Sequence, residues 1–153
     1  MNHQFLIRHA TFADIETIVQ FNIAMALETE NISLPVDKIT SGVTNLLTKP
    51  EYGFYMIAEC VGEIAGSLMV TTEWSDWRDG LFWWIQSVYV RPDFRRQGVY
   101  RALYDSVRAL AEVRLEIIGC RLYVERENIG AQETYRKLGM AETHYKMFEE
   151  LLR

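Results

Sequence analysis

One stretch, from Ser87 to Leu103, constrains the fold of this 153-residue chain more than any other. Val88, Tyr89 and Val90 continue an apolar, β-branched run that suits a strand buried on both faces. Pro92 has no N–H to give a ladder, so the strand ends there. A basic turn follows. Apolar or small residues then recur at Val99, Ala102, Leu103, Ser106, Val107 and Leu110, the spacing of one helix face. Gly98 stands at the helix entrance, where the missing side chain allows close approach to the backbone. The first helical N–H groups have no intrahelical partner and carry the positive end of the dipole. Arg95, Arg96 and Arg101 surround them. Strand, basic glycine turn and helix N-terminus together predict a phosphate-binding corner. It is neither a P-loop, which needs Lys-Ser or Lys-Thr after the glycine, nor a three-glycine dinucleotide fingerprint.

The rest of the chain supplies a mixed α/β frame for that corner. Strands are predicted at Phe5 to Arg8, Phe54 to Cys60, Ile64 to Thr72, Leu81 to Val90, Gly119 to Glu125 and Ala141 to Phe148. Thr11 is placed to cap a first helix marked by Ile15, Ile18, Val19, Asn22, Met25 and Ala26, and Asp14 makes its first turn acidic. Pro35 opens a second helix that runs to Leu47. The central helix spans Val99 to about Val113. A last helix, Asn128 to Leu138, ends at Gly139, a common site for a left-handed residue. The order is β-α-α-β-β-β-α-β-α-β around one sheet, read as a single domain over residues 1–153.

Charge and composition narrow the function classes. A net charge of −5 without a basic stripe argues against a nucleic-acid partner. No apolar run reaches membrane-spanning length, and the N-terminus lacks the regions of a signal peptide. The chain's 2 cysteines, Cys60 and Cys120, lie in apolar strands and suit a reducing cytoplasm, the expected location. His3, His9 and His144 have no metal-ligand spacing, so no metal is expected. Trp83 and Trp84 point to opposite faces of one strand, which makes at least one a core residue. Trp74 and Trp77, in the loop before that strand, are expected to pack, with an aromatic acceptor pocket or a subunit contact as the alternative.

Two motifs resemble those of the GNAT family of N-acetyltransferases. Arg95-Arg96-Gln97-Gly98-Val99-Tyr100 is similar to its acetyl-CoA pyrophosphate loop, Gln/Arg-x-x-Gly-x-Gly/Ala, with Tyr100 standing where the pattern has a small residue. Asn128, Ala131, Tyr135 and Gly139 fall on the family's later helix pattern, Asn-x-x-Ala-x-x-x-Tyr-x-x-x-Gly. The resemblance covers essentially the whole chain and implies the acyl-CoA acyltransferase fold, a central, partly splayed mixed sheet flanked by helices. It implies acetyl-CoA as co-substrate and direct transfer of the acetyl group to a primary amine of a small molecule or peptide in a ternary complex. A catalytically silent acyl-CoA-binding or regulatory module on the same fold is the alternative. No nucleic acid or membrane partner is implied, and a homodimer is compatible with the family.

The resemblance assigns roles to particular residues. Arg95, Arg96, Gly98, Val99, Tyr100 and Arg101 are expected to bind the pyrophosphate, mainly through backbone N–H groups. Val88 and Val90 would lie along the pantetheine arm, which pairs with the central strand as an extra strand. Asn128 would cap its helix and contact the cofactor. Tyr135 is the expected general acid: a phenol near pKa 10 is protonated at neutral pH and close in acidity to an alkyl thiol. Spacing by itself makes Tyr135 a core aromatic on one face with Ala131 and Leu138. For the base, relatives often place a Glu near the start of the central strand, where this chain has Gln86. Glu73 is the candidate instead, and Glu28 the candidate for binding the acceptor.

Overall fold

A computed structural model describes residues 4–153, so His3 lies outside the described residues. Two compact units emerge, one running to Leu122 and the other Tyr123–Arg153. The first unit holds β1 (Leu6–His9), α1 (Ile15–Glu30), α2 (Val36–Thr48), β2 (Gly53–Cys60), β3 (Glu63–Ser75), β4 (Gly80–Val90), α3 (Val99–Glu112) and β5 (Ile117–Arg121). The second holds α4 (Ile129–Lys137).

The sheet runs in the order β1-β2-β3-β4-β5. Neighbours from β1 to β4 pair antiparallel, β1 with β2 across the segment that holds α1 and α2 and the next two pairs through short turns, whereas β4 and β5 are parallel across the α3 crossover. Helices α1 and α2 bury Ile18, Val19 and Val43 against Tyr55 and Ile57 of β2. The alternate β residues Met56, Ala58, Leu68, Val70, Trp83 and Ile85 are buried as well, so the sheet is covered on both faces. Helix α3 rests on β2, β3 and β5 with Val99, Leu103, Tyr104, Val107 and Ala111 buried. That is the apolar face read from the sequence, with the buried edge shifted toward Tyr104 and Ala111.

Two ion clusters frame α1. Before it, Arg8 grips the buried Asp14 through Nη1 at 2.8 Å and Nη2 at 2.9 Å, and also reaches Glu59. Asp14 accepts from the Thr11 N–H at 2.7 Å. The Thr11 hydroxyl donates to the same carboxylate at 3.3 Å, so Asp14 dominates the cap. Helix α1 then starts at Ile15.

Three expectations need correction. Residues 141–148 form no strand: Tyr145, Met147 and Phe148 are exposed, and alternation without a partner edge makes no ladder. The tryptophans ahead of β4 do not pack, since Trp74 is 60% and Trp77 87% exposed. They sit at the outer end of the long β3–β4 hairpin, beyond the core. Finally, Gly119 to Glu125 is too late for the fifth strand, which is Ile117–Arg121.

Candidate active site

The corner after β4 is built by backbone conformation. Arg91 N–H still bonds the Ala65 carbonyl at 2.9 Å, and a single 3-10 turn, Pro92–Phe94, follows. The chain then reverses through two left-handed residues, Arg96 at φ 64° and Gly98 at φ 84°. Gly98 is the helix cap, a conformation that favours glycine. Gln97 Nε2 donates to the Asp93 carbonyl at 2.9 Å, and Arg91 pairs with Asp93 at 2.6 Å, which braces the loop. The first α3 bond runs from Ala102 N–H to the Gly98 carbonyl, so the amides from Val99 to Arg101 precede the helical ladder. No acid stands in the first turn of α3. Arg101 forms an ion pair with Asp105 at 3.6 Å, with both side chains largely in solvent. Arg96 is exposed and has no ion-pair partner among the described residues. Gly66 of β3 helps seat this corner: a Cβ there would meet the Tyr89 carbonyl oxygen at 2.7 Å and Val99 Cγ1 at 3.1 Å.

Beside the corner, β4 changes character along its length. Its first half pairs with β5 from Leu81↔Ile117 to Trp84↔Arg121, and residues 85–90 carry no ladder on that edge among the described residues. On the other edge a bulge intervenes. Ser67 pairs with Tyr89 and Met69 with Gln86, so one extra β4 residue is accommodated, with Ser87 at φ 50°. Arg91 faces β3, so strand alternation turns the backbone groups of Val88 and Val90 toward the unpaired edge. The sequence reading missed the bulge, because a serine carries no signal for a left-handed conformation.

Arg95 and Glu28 meet, although 67 positions apart. Arg95 Nη2 donates to Glu28 Oε2 at 2.8 Å, and its Nε donates to the Val90 carbonyl at 2.9 Å. Its guanidinium lies over the Tyr89 ring, 5.6 Å from the centroid. The Tyr89 hydroxyl donates to Glu28 Oε1 at 3.3 Å. Burial and the Glu28 charge raise the Tyr89 phenol above its ordinary range. The residue expected on the donor side thus holds the one expected on the acceptor side.

Glu73 sits at the far end of the same strand pair. Its carboxylate accepts from Trp84 Nε1 at 2.7 Å and from Arg121 Nη1 at 2.9 and 3.1 Å. The Trp84 hydrogen bond, followed by Arg121, holds its carboxyl below the usual range despite some desolvation. Arg121 in turn stacks on Phe82 at 3.6 Å. Gln86 donates to the Thr71 hydroxyl at 2.7 Å.

In the second unit, Asn128 caps α4 as expected, its Oδ1 accepting from Ala131 N–H at 3.1 Å. Tyr135 is half-buried on the face that also carries Ala131 and the buried Leu138. Burial raises its phenol, which keeps it protonated at neutral pH. Gly139 takes the left-handed conformation, φ 95°, that ends the helix.

These parts define a class of protein. A diphosphate only accepts hydrogen bonds, and the α3 corner offers amides ahead of the helical ladder, a positive dipole end and two exposed guanidinium groups with no acid in the first turn. The unpaired half of β4 offers backbone donors and acceptors beside it. The donor set therefore fits acetyl-CoA. No His/Cys/Asp/Glu cluster that could hold a metal occurs among the described residues, and none of their helices is long and apolar enough to cross a membrane.

Residues 20–140 match the Acetyltransferase (GNAT) family, and the chain belongs to that family of acetyl-CoA-dependent acyltransferases. The chain is similar to a possible acetyltransferase from Clostridium difficile 630, with 40% identity, 99% of each chain covered and a TM-score of 0.91. It shares the fold of a predicted acetyltransferase from Clostridium acetobutylicum solved with acetyl-CoA, at 21% identity, 97% of each chain and a TM-score of 0.77. It also shares the fold of an aminoglycoside acetyltransferase from an uncultured soil metagenomic sample in complex with sisomicin, at 17% identity, 99% of each chain and a TM-score of 0.79. No curated protein sequence matches the chain.

Proposed function

We propose that this protein moves the acetyl group of acetyl-CoA onto a primary amine by direct attack within a ternary complex. The observation that carries the reading is the α3 corner: left-handed Gly98, amides ahead of the ladder and two exposed arginines at one helix N-terminus. Gly98, Val99, Tyr100 and Arg101 bind the pyrophosphate through the backbone, with Arg96 and Arg101 adding charge. Val88 and Val90 bind the pantetheine arm along the unpaired edge of β4. Asn128 contacts the cofactor while capping α4.

Bound acetyl-CoA supplies an activated thioester, so no covalent intermediate on the protein is needed and positioning provides much of the rate. The amine nitrogen bonds to the acyl carbon as the C–S bond breaks. Tyr135 gives its hydroxyl proton to the departing sulfur. Its raised pKa keeps that proton in place until the thiolate forms, and the proton that the acylated nitrogen sheds restores the phenol. The ammonium proton must leave before attack. Glu73 is a poor base for it, because the Trp84 hydrogen bond and Arg121 hold its carboxyl below the usual range. We therefore assign Glu73 to fixing Trp84 and Arg121, and assign deprotonation to water. Glu28 binds the acceptor ammonium. The sisomicin-bound neighbour puts aminoglycosides among the first acceptors to try.

The test is a panel of primary amines, sisomicin included, monitored by release of the CoA thiol. At least one amine is expected to support turnover, and Tyr135→Phe is expected to lower kcat about 100-fold. CoA at a hundredfold its Kd should stabilise the protein by about 2.7 kcal/mol. Stabilisation without turnover of any amine would favour a silent CoA-binding module, and unaltered kcat in Tyr135→Phe would remove the acid assignment.

A further inference from the structure

The two consecutive arginines of the loop do different work, although the family pattern treats the stretch as one phosphate site. Arg96 is exposed and without an ion-pair partner among the described residues, whereas Arg95 is engaged on three sides. We infer that Arg95 is a positioning residue that acts through Glu28, fixing the acceptor-side carboxylate to the donor edge of β4. This rests on the reading that Glu28 binds the acceptor ammonium.

The argument starts from where Glu28 lies. It occupies the last turn of α1, with Glu30 beside it and Asn31 as a left-handed cap. The negative end of the helix dipole disfavours carboxylates there, and no basic residue of α1 offsets them. A glutamate side chain has three rotatable bonds, so an uncompensated Glu28 would turn away into solvent. Arg95 takes Oε2 at 2.8 Å and Tyr89 takes Oε1 at 3.3 Å, which orients both oxygens. Arg95 is itself held by the Val90 carbonyl and by the Tyr89 ring, and the Tyr89 ring packs on Phe21 of α1 at 4.9 Å. The contacts close a circuit: Glu28, Arg95, Tyr89 and back to Glu28. Its anchor is the Val90 carbonyl, on the edge assigned to the pantetheine arm. The carboxylate that binds the ammonium is thus held in register with the strand that binds the donor. Nε and one Nη2 hydrogen are committed to Val90 and Glu28, so those two contacts fix the plane of the Arg95 guanidinium, with three of its N–H donors left over.

The experiment compares Arg95→Met, Arg96→Met, Glu28→Gln and the double variant Arg95→Met/Glu28→Gln in the full-length protein. CoA is the donor probe, read by calorimetry. Loss of a charge-assisted phosphate contact should weaken CoA about tenfold or more in Arg96→Met, with Arg95→Met staying within about threefold of the parent. Hydrogen exchange of the peptide spanning 26–34 reads the clamp without any acceptor. Exchange there should rise equally in Arg95→Met and Glu28→Gln, and no further in the double variant. With the best amine from the panel, both single variants should raise the acceptor KM about three- to fivefold. Arg95→Lys, which keeps the ion pair, should recover part of that loss. If Arg95→Met weakens CoA as much as Arg96→Met, Arg95 is a phosphate ligand and the inference falls. If Glu28→Gln raises the acceptor KM and Arg95→Met does not, the clamp falls and the acceptor reading stands. If Glu28→Gln leaves that KM alone, the acceptor reading itself fails.

Discussion

The two ends of α1 each bring a carboxylate to an arginine, and the two pairs are opposites in every other respect. At the N-terminal end, Asp14 is buried, favoured by the helix dipole and gripped by both terminal nitrogens of Arg8. At the C-terminal end, Glu28 is opposed by the dipole, and both it and Arg95 have 43% of their side chains exposed. The first arrangement agrees with every local rule and serves the fold. The second goes against local preference and survives because β4 and the loop hold it in place. Such departures mark the places where function, rather than stability, has set the residue.

Stability measurements can break this contrast. The largest effect is expected from Arg8→Met, which leaves Asp14 buried without its cation and should cost about 3 kcal/mol in urea unfolding with CoA affinity unchanged. The pH dependence of that loss is a sharper test. Arg8 depresses the Asp14 pKa, so the pair stabilises the fold above the unfolded carboxyl pKa, about 4, and the contribution disappears as pH falls through the lower folded value. The gap between parent and Arg8→Met should therefore be full at pH 7 and close progressively below pH of about 4. At the other end, Glu28→Gln loses an exposed ion pair and relieves an unfavourable dipole interaction, two small terms of opposite sign. Its stability should stay within about 0.5 kcal/mol of the parent. A large destabilisation there would erase the contrast.

The sequence carried most of the architecture because its signals are local. Pro92, Gly98 and the apolar spacing of residues 99–110 place the strand end, the turn and the helix without knowledge of the rest of the chain. Asn128 and Gly139 likewise mark both ends of α4. What stayed hidden is long-range or conformational. Nothing near Arg8 announces Glu59, and nothing near Arg95 announces Glu28. The bulge at Ser87 leaves no trace in composition, and a serine in that conformation is held by the β3 pairing on either side. The segment 141–148 alternates well enough to read as a strand, yet pairing requires an edge that alternation cannot supply. Glu73 was legible as a carboxylate near β4, but its partners Trp84 and Arg121, which decide its basicity, come from two other strands.

The central claim is that the α3 corner and the bulged half of β4 form the donor site. Titration of the isotopically labelled protein with CoA, followed through backbone amide resonances, tests it most directly. The amides of Val88, Val90 and 98–101 should shift strongly, while those of 81–84, already paired with β5, should barely move. Saturation with CoA that left the 98–101 amides unmoved would contradict the account.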